Sequence, residues 1–254
     1  MNDRISRLID FLLEDMPEYR KEARNFPDPR ILLRSLMNVR PPLPLSPEFL
    51  KLQDEVLSAE RDAKGVVDAE ALPEVEEGIS LWQGDITRLK ADAIVNAANS
   101  LMMGCFIPCH RCIDNAIHSA AGLQLRDECH SLMTAQGHEE PTGSAKITLG
   151  YNLPAKHVIH TVGPVVHGEL TEQNCRDLES CYRSCLELAE REGLHSIAFC
   201  CISTGEFHFP NDKAASIAVK TVREFLRKSV SVRRVIFNVF KDYDLELYRK
   251  ELSQ

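Results

Sequence analysis

Residues 104–112 read GCFIPCHRC, three cysteines and one histidine in nine positions. Thiolate and imidazole are preferred zinc ligands. A structural zinc takes four protein ligands, whereas a catalytic zinc takes three and keeps one position open for water or substrate. The chain has no second cysteine pair at zinc-finger spacing that would close the site. A half-site of this kind suits a metal that does chemistry. Cys109 is the complication. As a fourth ligand it would close the site, but it directly precedes His110, and neighbouring side chains in an extended loop point apart. Thiols also pack as small buried hydrophobes, which fits Cys181, Cys185, Cys200 and Cys201. It does not fit a loop that contains Pro108 and has no apolar period.

Three further stretches have chemistry to offer if strands precede them, because ligands of open α/β sheets bind at strand ends. In QGDIT, residues 83–87, Gly84 permits a sharp turn and Asp85 presents a carboxylate. That carboxylate can accept from an exocyclic amine or close its own turn as an Asx cap. NAAN, residues 96–99, puts two asparagines at a strand end. STGEF, residues 203–207, offers successive backbone N–H groups. Such a nest binds a phosphate without cationic side chains; the bland reading is an ordinary turn.

The elements that must position these residues follow from periodicity. In RISRLIDFLLEDM, Ile5, Leu8, Ile9 and Leu12 fall at helical spacing. ILLRSLMNV continues as a short helix until PPLPLSP breaks it. Ser46 and Pro47 read as N-cap and first position of a helix that fades at Gly65. No chemistry is legible in these residues, and they read as a helical extension, residues 1–75. From residue 76 to 254 the pattern changes. Strands are expected in ISLWQGDI, ADAIVNAAN, SAKITLG, HVIHTVG, SIAFCCIST and RRVIFNVF. Helices are expected in the segment closed by Gly137, in the one stopped at Gly193 with Leu178, Cys181, Cys185 and Leu188 on one face, after a cap at Asn211 or Asp212, and in DYDLELYRKEL. Alternating strands and helices imply an α/β fold, a three-layer α/β/α sandwich with a mixed central sheet.

Bulk properties narrow the class. A chain of 254 residues, 44% hydrophobic and 27% charged, suits one domain or one and a half. A net charge of -8 argues against a nucleic-acid backbone as partner. No apolar run is long enough to span a membrane, and MNDRISRLIDFLLEDMPEYR is too acidic for a signal or transit peptide. Nine cysteines then point to a reducing setting, with thiols free or metal-bound, and a cytoplasmic location is expected. Without heptads or an apolar surface stripe, a monomer is expected.

GDIT, IVNAAN, IDNAIHSAAG, HTVGP and CISTG…FP stand in the order and spacing of the macrodomain, an ADP-ribose-binding fold, and about residues 76–250 resemble that family. Its members carry a glycine-rich stretch after NAAN. Here MMGCFIPCHRC stands instead, which resembles the Cys-x4-His-x-Cys arrangement of the zinc-dependent macrodomains of microbial protein-ADP-ribose hydrolases. The resemblance implies one zinc ion held by Cys105, His110 and Cys112 with an open coordination position, and leaves Cys109 outside the set. It implies that Asp85 and the Ile86 backbone hold the adenine. Ser203, Thr204, Gly205, Glu206 and Phe207 would cradle the diphosphate, with Phe207 near the distal ribose. Asn99 and Asp114 would face that ribose, with Ile113 and Asn115 beside them. His118 matches a histidine also present in zinc-free members and reads as packing behind the site. The Glu206 carboxylate is expected to point away from the diphosphate.

The implied reaction is hydrolysis of the bond between the ribose anomeric carbon and an acceptor oxygen of a mono-ADP-ribosylated protein, with an Asp or Glu ester the family-level expectation. Asp114 is the candidate to position or deprotonate water; its alternative role is to cap the helix starting near Ile113. Two thiolate ligands reduce the metal's effective charge, which favours orientation and polarisation over generation of hydroxide. Rival readings are a non-catalytic ADP-ribose reader, a structural zinc loop, and a hydrolase of small ADP-ribose esters such as acetylated ADP-ribose.

Overall fold

Capping and amphipathic spacing shape the first seventy residues as expected. The computed structural model describes residues 2–254; Met1, which the sequence assigns to the helical extension, lies outside them. Helix α1 (Asn2–Asp15) buries Leu8 and Leu12 completely. A short α2 (Arg20–Ala23) leads to α3 (Pro29–Val39), where Asp28 accepts the amides of Arg30 and Ile31 and Pro29 takes the first turn. In α4 (Pro47–Lys64) the Ser46 hydroxyl accepts the Phe49 N–H, and Gly65 ends the helix at φ +79°. These helices form their own apolar cluster, with Leu33, Leu36, Phe49 and Val56 at its centre, and Leu123 joins it from outside the extension.

Polar contacts fix that cluster against the rest of the chain. Gln53 on α4 accepts the Leu123 N–H at 2.9 Å, which satisfies one of the free donors at the start of α6 (Leu123–Gln136). Asp54 accepts from Gln124 and Asn152 at 2.8 and 2.7 Å.

A small parallel pair, β1 (Val67–Asp68) with β4 (Leu89–Lys90), stands beside a seven-stranded mixed sheet. The sheet contains β2 (Glu74–Glu76), β3 (Ile79–Gln83), β5 (Ala93–Ala98), β6 (Ala145–Leu149), β7 (His157–Val162), β8 (Ser196–Phe199) and β9 (Arg234–Val239). Their order is β2-β3-β9-β8-β5-β7-β6. The five central strands are parallel, and β2 and β6 run antiparallel at the edges. Parallel strands covered on both faces need apolar side chains in both directions, and Ile94, Val95, Ile197, Ala198, Val235 and Ile236 are all fully buried. The α/β reading is borne out, with helices α5 (Ile113–Ala121), α6, α7 (Glu172–Arg191), α8 (Asn211–Leu226) and α9 (Asp242–Leu252) flanking the sheet.

One capping expectation and one strand boundary are corrected. The N-cap of α8 is Pro210, not Asn211 or Asp212, and the Asn211 amide donates instead to Asp244 at 2.6 Å. The strand expected across SIAFCCIST stops at Phe199, so Cys200 to Ser203 already belong to the turn.

Because β5 leads on to β6 and β7 on one side while β8 leads to β9 on the other, the sheet changes direction between β5 and β8. Ligand crevices of open α/β sheets form at such a switch point. The loops that follow these two strands carry NAAN with the cysteine-rich stretch, and STGEF.

Candidate active site

Asp114 is the centre of the arrangement. It lies in the first turn of α5 and is 4% exposed. The Asn96 amide, on β5, donates to its Oδ1 at 2.8 Å, and the Asn99 amide approaches Oδ2 at 3.4 Å. Burial pushes its carboxyl up to about 6, opposed by the Asn96 hydrogen bond and by the charge of Arg126. Asp114 does not cap α5. Cys112 is the N-cap, and its Sγ accepts the Asn115 N–H at 3.4 Å. The Asp114 carboxylate is thereby released to face its two asparagines. Asn99 also accepts the Leu101 N–H and donates to the Gly104 carbonyl, so it shapes the start of the cysteine-rich loop.

Cys105, His110 and Cys112 converge, with their ligand atoms within 4.8 Å of one another. Cys105 Sγ is 3.7 Å from His110 Nδ1, close to the roughly 3.3–3.8 Å between ligands on a tetrahedral zinc with bonds of about 2.0–2.3 Å. Two thiols and an imidazole are a donor set that suits zinc, so these residues fit the metal. Burial, with the Asn115 N–H opposing and Cys105 and Asp114 nearby, raises the Cys112 thiol to about 12. Cys109 takes no part in the cluster: its Sγ lies 3.3 Å from Ser35 Oγ and 3.7 Å from the Ile31 carbonyl oxygen. The Glu206 side chain is 69% exposed, and its carboxylate lies 3.6 Å from His110 Nε2. A metal-binding histidine commonly directs its second nitrogen to a carboxylate, which orients the ring.

A second group, His118, Cys129 and His160, is buried behind Asp114. His160 accepts from Asn96 at Nδ1 and donates to Thr148 Oγ1 from Nε2, at 3.1 and 2.9 Å. Burial pushes it down to about 3, so it is neutral. Both its nitrogens are engaged, and it serves as a hydrogen-bonded floor under Asn96. His118 Nε2 is 3.5 Å from Asp114 Oδ1, and burial holds it neutral as well. The His118 ring covers Gly104, where an added Cβ would meet it at 2.9 Å.

The loop after β8 faces the cysteine-rich loop. Ser203 adopts φ +65°, and its buried Oγ has no partner among the described residues. An added Cβ at Gly163 would meet this oxygen at 2.0 Å, which is why HTVGP needs glycine there. The Thr204 hydroxyl donates to the Cys201 carbonyl, and the Phe209 N–H to the Ser203 carbonyl. The amides of Gly205, Glu206 and Phe207 have no acceptor among the described residues. A row of free amides at a strand end is an anion-binding geometry.

Asp85 follows β3 and accepts from the Thr87 amide and hydroxyl at 3.0 and 2.6 Å, with Lys64 of α4 at 4.0 Å. Its local capping role is therefore real and uses Oδ1, while Oδ2 is the oxygen that faces Lys64. The Ile86 side chain is buried, and Ile113 is half-buried. A recess of about 120 Å³ opens beside Asp85, walled by Arg34, Leu57, Lys64, Thr87 and Ala120.

The comparisons with known proteins agree with this geometry. Residues 95–218 match the Macro domain family. A protein-ADP-ribose hydrolase of Treponema medium is 52% identical over 97% of this chain and 97% of its own length. The chain belongs to the macrodomain family. A protein-ADP-ribose hydrolase of Staphylococcus aureus (strain MRSA252) is 47% identical over 97% of this macrodomain chain and 95% of its own. The Trypanosoma brucei macrodomain solved in complex with ADP-ribose superposes with a TM-score of 0.67 at 34% identity, covering 85% of this chain and 94% of that one.

Three positions of this macrodomain escaped the sequence reading. Asn96 looked like a strand-end polar group but is fully buried and joins Asp114 to His160. Arg34, from the extension, donates to Asn115 at 2.8 Å. Phe240 is 75% exposed just beyond β9, where Gln83 donates to its carbonyl and Gly84 to that of Val239. An aromatic face left open beside the Asp85 turn offers a stacking surface for a base. The sequence offered no signal, because Phe240 reads as the last residue of the strand expected across RRVIFNVF, whereas β9 ends at Val239.

Proposed function

We propose that this chain is a zinc-dependent hydrolase that removes mono-ADP-ribose from modified protein side chains, with an Asp or Glu ester as the linkage. The observation that carries the reading is the placement of Asp114. A buried carboxylate held by Asn96 and Asn99 sits two residues from the Cys105–His110–Cys112 cluster, across the switch point from the free amides of residues 205–207.

In this reading the amides of Gly205, Glu206 and Phe207 hold the diphosphate, Asp85 accepts from the adenine amine, and the Phe240 ring stacks on the base. Asn99 orients the hydroxyls of the distal ribose, which turns attack into a step between positioned groups. When bound by Cys105, His110 and Cys112, zinc supplies Lewis acidity that orients and polarises the ribose end of the substrate. Asp114 takes a proton from the attacking water as its oxygen bonds to the anomeric carbon. The bond from that carbon to the acceptor oxygen breaks, and its electron pair leaves with the acceptor as a carboxylate. ADP-ribose and the unmodified side chain are the products, and Asp114 returns its proton to solvent. Among the described residues no helix is long and apolar enough to cross a membrane, and the reading needs no membrane.

The linkage is tested by offering two mono-ADP-ribosylated peptides, one joined through a glutamate ester and one through a serine ether. Release of ADP-ribose from the ester at least about tenfold faster supports the reading, because a carboxylate leaves more easily than an alkoxide. Equal rates, or preference for the serine linkage, contradict the ester assignment.

A further inference from the structure

The helical extension meets the cysteine-rich loop at a buried residue that the proposed reaction does not use. Asn38, near the end of α3, is 2% exposed. Its Oδ1 accepts the Cys109 N–H at 2.9 Å, and its Nδ2 donates to Ser119 Oγ on α5 at 2.9 Å. Cys109 is the third residue of a turn closed by the His110 N–H on the Ile107 carbonyl at 3.2 Å, with Pro108 second. Its φ is +50°. A type II turn requires positive φ at that place and favours proline before it. A residue other than glycine holds this conformation only where its surroundings compensate. Here the compensation comes from α3: Asn38 fixes the amide, and Ser35 and the Ile31 carbonyl receive the thiol.

His110 is the next residue, so the orientation of this turn sets the direction of the imidazole. The rest of the loop is held from the same side. Arg34 orients Asn115, whose amide reaches the carbonyls of Ile107 at 3.0 Å and Cys105 at 3.4 Å. Arg126 binds the Met103 carbonyl and, on α3, the Met37 carbonyl, while its guanidinium lies 4.3 Å over the Phe106 ring. The backbone at residues 103, 105, 107 and 109 is thus fixed by three partners outside the loop: Asn38 on α3 itself, and Arg126 and Asn115, both braced on α3. Cys105, His110 and Cys112 are left free to face one another.

We propose that Asn38 is a positioning residue for the metal loop, and that the helical extension preorganises the Cys105–His110–Cys112 trio for zinc. The proposal rests on the zinc reading above. Residues that orient metal ligands commonly change metal affinity by about 10–100-fold, and preorganisation of the loop is the physical reason.

The test uses the full chain and three readouts: zinc affinity by competition with a chromogenic chelator, ADP-ribose affinity by calorimetry, and Tm. Asn38→Ala is expected to weaken zinc binding by at least about tenfold and to leave ADP-ribose affinity within about threefold. Asn38→Asp keeps an acceptor facing the Cys109 N–H and is expected to stay within about threefold of wild type for zinc. Leu33→Ala, in the apolar core of the same helix, is the control: it is expected to lower Tm at least as far while zinc affinity holds within about threefold. Should Asn38→Ala fail to fold, Asn38→Ser, whose hydroxyl falls short of the Cys109 amide, carries the same expectation. Unchanged zinc affinity in the alanine or serine variant overturns the proposal. So does an equal loss in Leu33→Ala, which would make the effect one of stability alone. A wild-type chain that binds no zinc fails the zinc reading itself, and this proposal with it.

Discussion

Asn in place of Asp114 is expected to lower kcat by about 10²–10⁴-fold, the usual contribution of a positioned general base, with ADP-ribose affinity within about threefold. The substitution is nearly isosteric, so an amide oxygen at position 114 still accepts from Asn96, whose donor would otherwise be orphaned in the core. What is lost is the carboxylate that receives the proton. The new amide nitrogen would meet the Asn99 amide across the present 3.4 Å contact, donor against donor. Against that, burial of a charge is relieved, and Tm is expected to change little. Single-turnover hydrolysis with separate measurement of ADP-ribose binding checks this. A variant that keeps more than about a tenth of wild-type kcat would remove Asp114 from the proton-transfer role.

The second large effect separates the three cysteines of the loop. Cys112→Ser is expected to reduce zinc affinity by at least about 100-fold, the upper end of what loss of an orienting partner costs, and to reduce hydrolysis with it. A serine hydroxyl still caps α5 in place of the sulfur that now accepts the Asn115 N–H, so the fold is expected to survive. Cys109→Ala removes a thiol that touches Ser35 and the Ile31 carbonyl and no member of the cluster. It is expected to keep zinc affinity within about threefold. Zinc titration of both variants decides the ligand set. Equal losses at positions 109 and 112 would make Cys109 a ligand and close the open coordination position on which the catalytic reading depends.

The contrast between these two cysteines shows where sequence reasoning succeeds and where it stops. Spacing singled out the 104–112 loop, and local signals placed Ser46, Gly65 and Gly137 at helix ends, because capping involves residues only a few positions apart. The alternation of strands and helices sufficed for the sheet and its flanking layers, since periodicity is likewise local. Capping of α5, the alternative role open to Asp114, falls instead to Cys112, whose sulfur is an unusual N-cap acceptor that local sequence does not announce. Asn96 and Asn99 are three residues apart and identical in type, yet one is buried against His160 and the other shapes a loop. Only the packing of β5 against β7 distinguishes them.

Longer-range partners were illegible. Asn38 and Cys109 are 71 positions apart, and Arg34 and Asn115 are 81 apart. Nothing in α3 as an amphipathic helix announces that its polar edge would hold the cysteine-rich loop. The approach of the Glu206 carboxylate to His110 was illegible for the same reason.

The most direct measurement of the central claim is hydrolysis of a glutamate-linked mono-ADP-ribosylated peptide by the wild-type chain in three states: zinc-loaded, stripped by chelator, and stripped then restored with zinc. Tm and ADP-ribose affinity are followed in parallel. The account predicts that stripping lowers turnover at least about tenfold, that the fold and ADP-ribose binding persist, and that one equivalent of zinc restores the rate. Turnover that is unchanged in the stripped protein would contradict it and leave the chemistry to Asp114 and its asparagines alone. Loss of the fold on stripping would contradict it in the other direction, because a metal required for folding is a structural one.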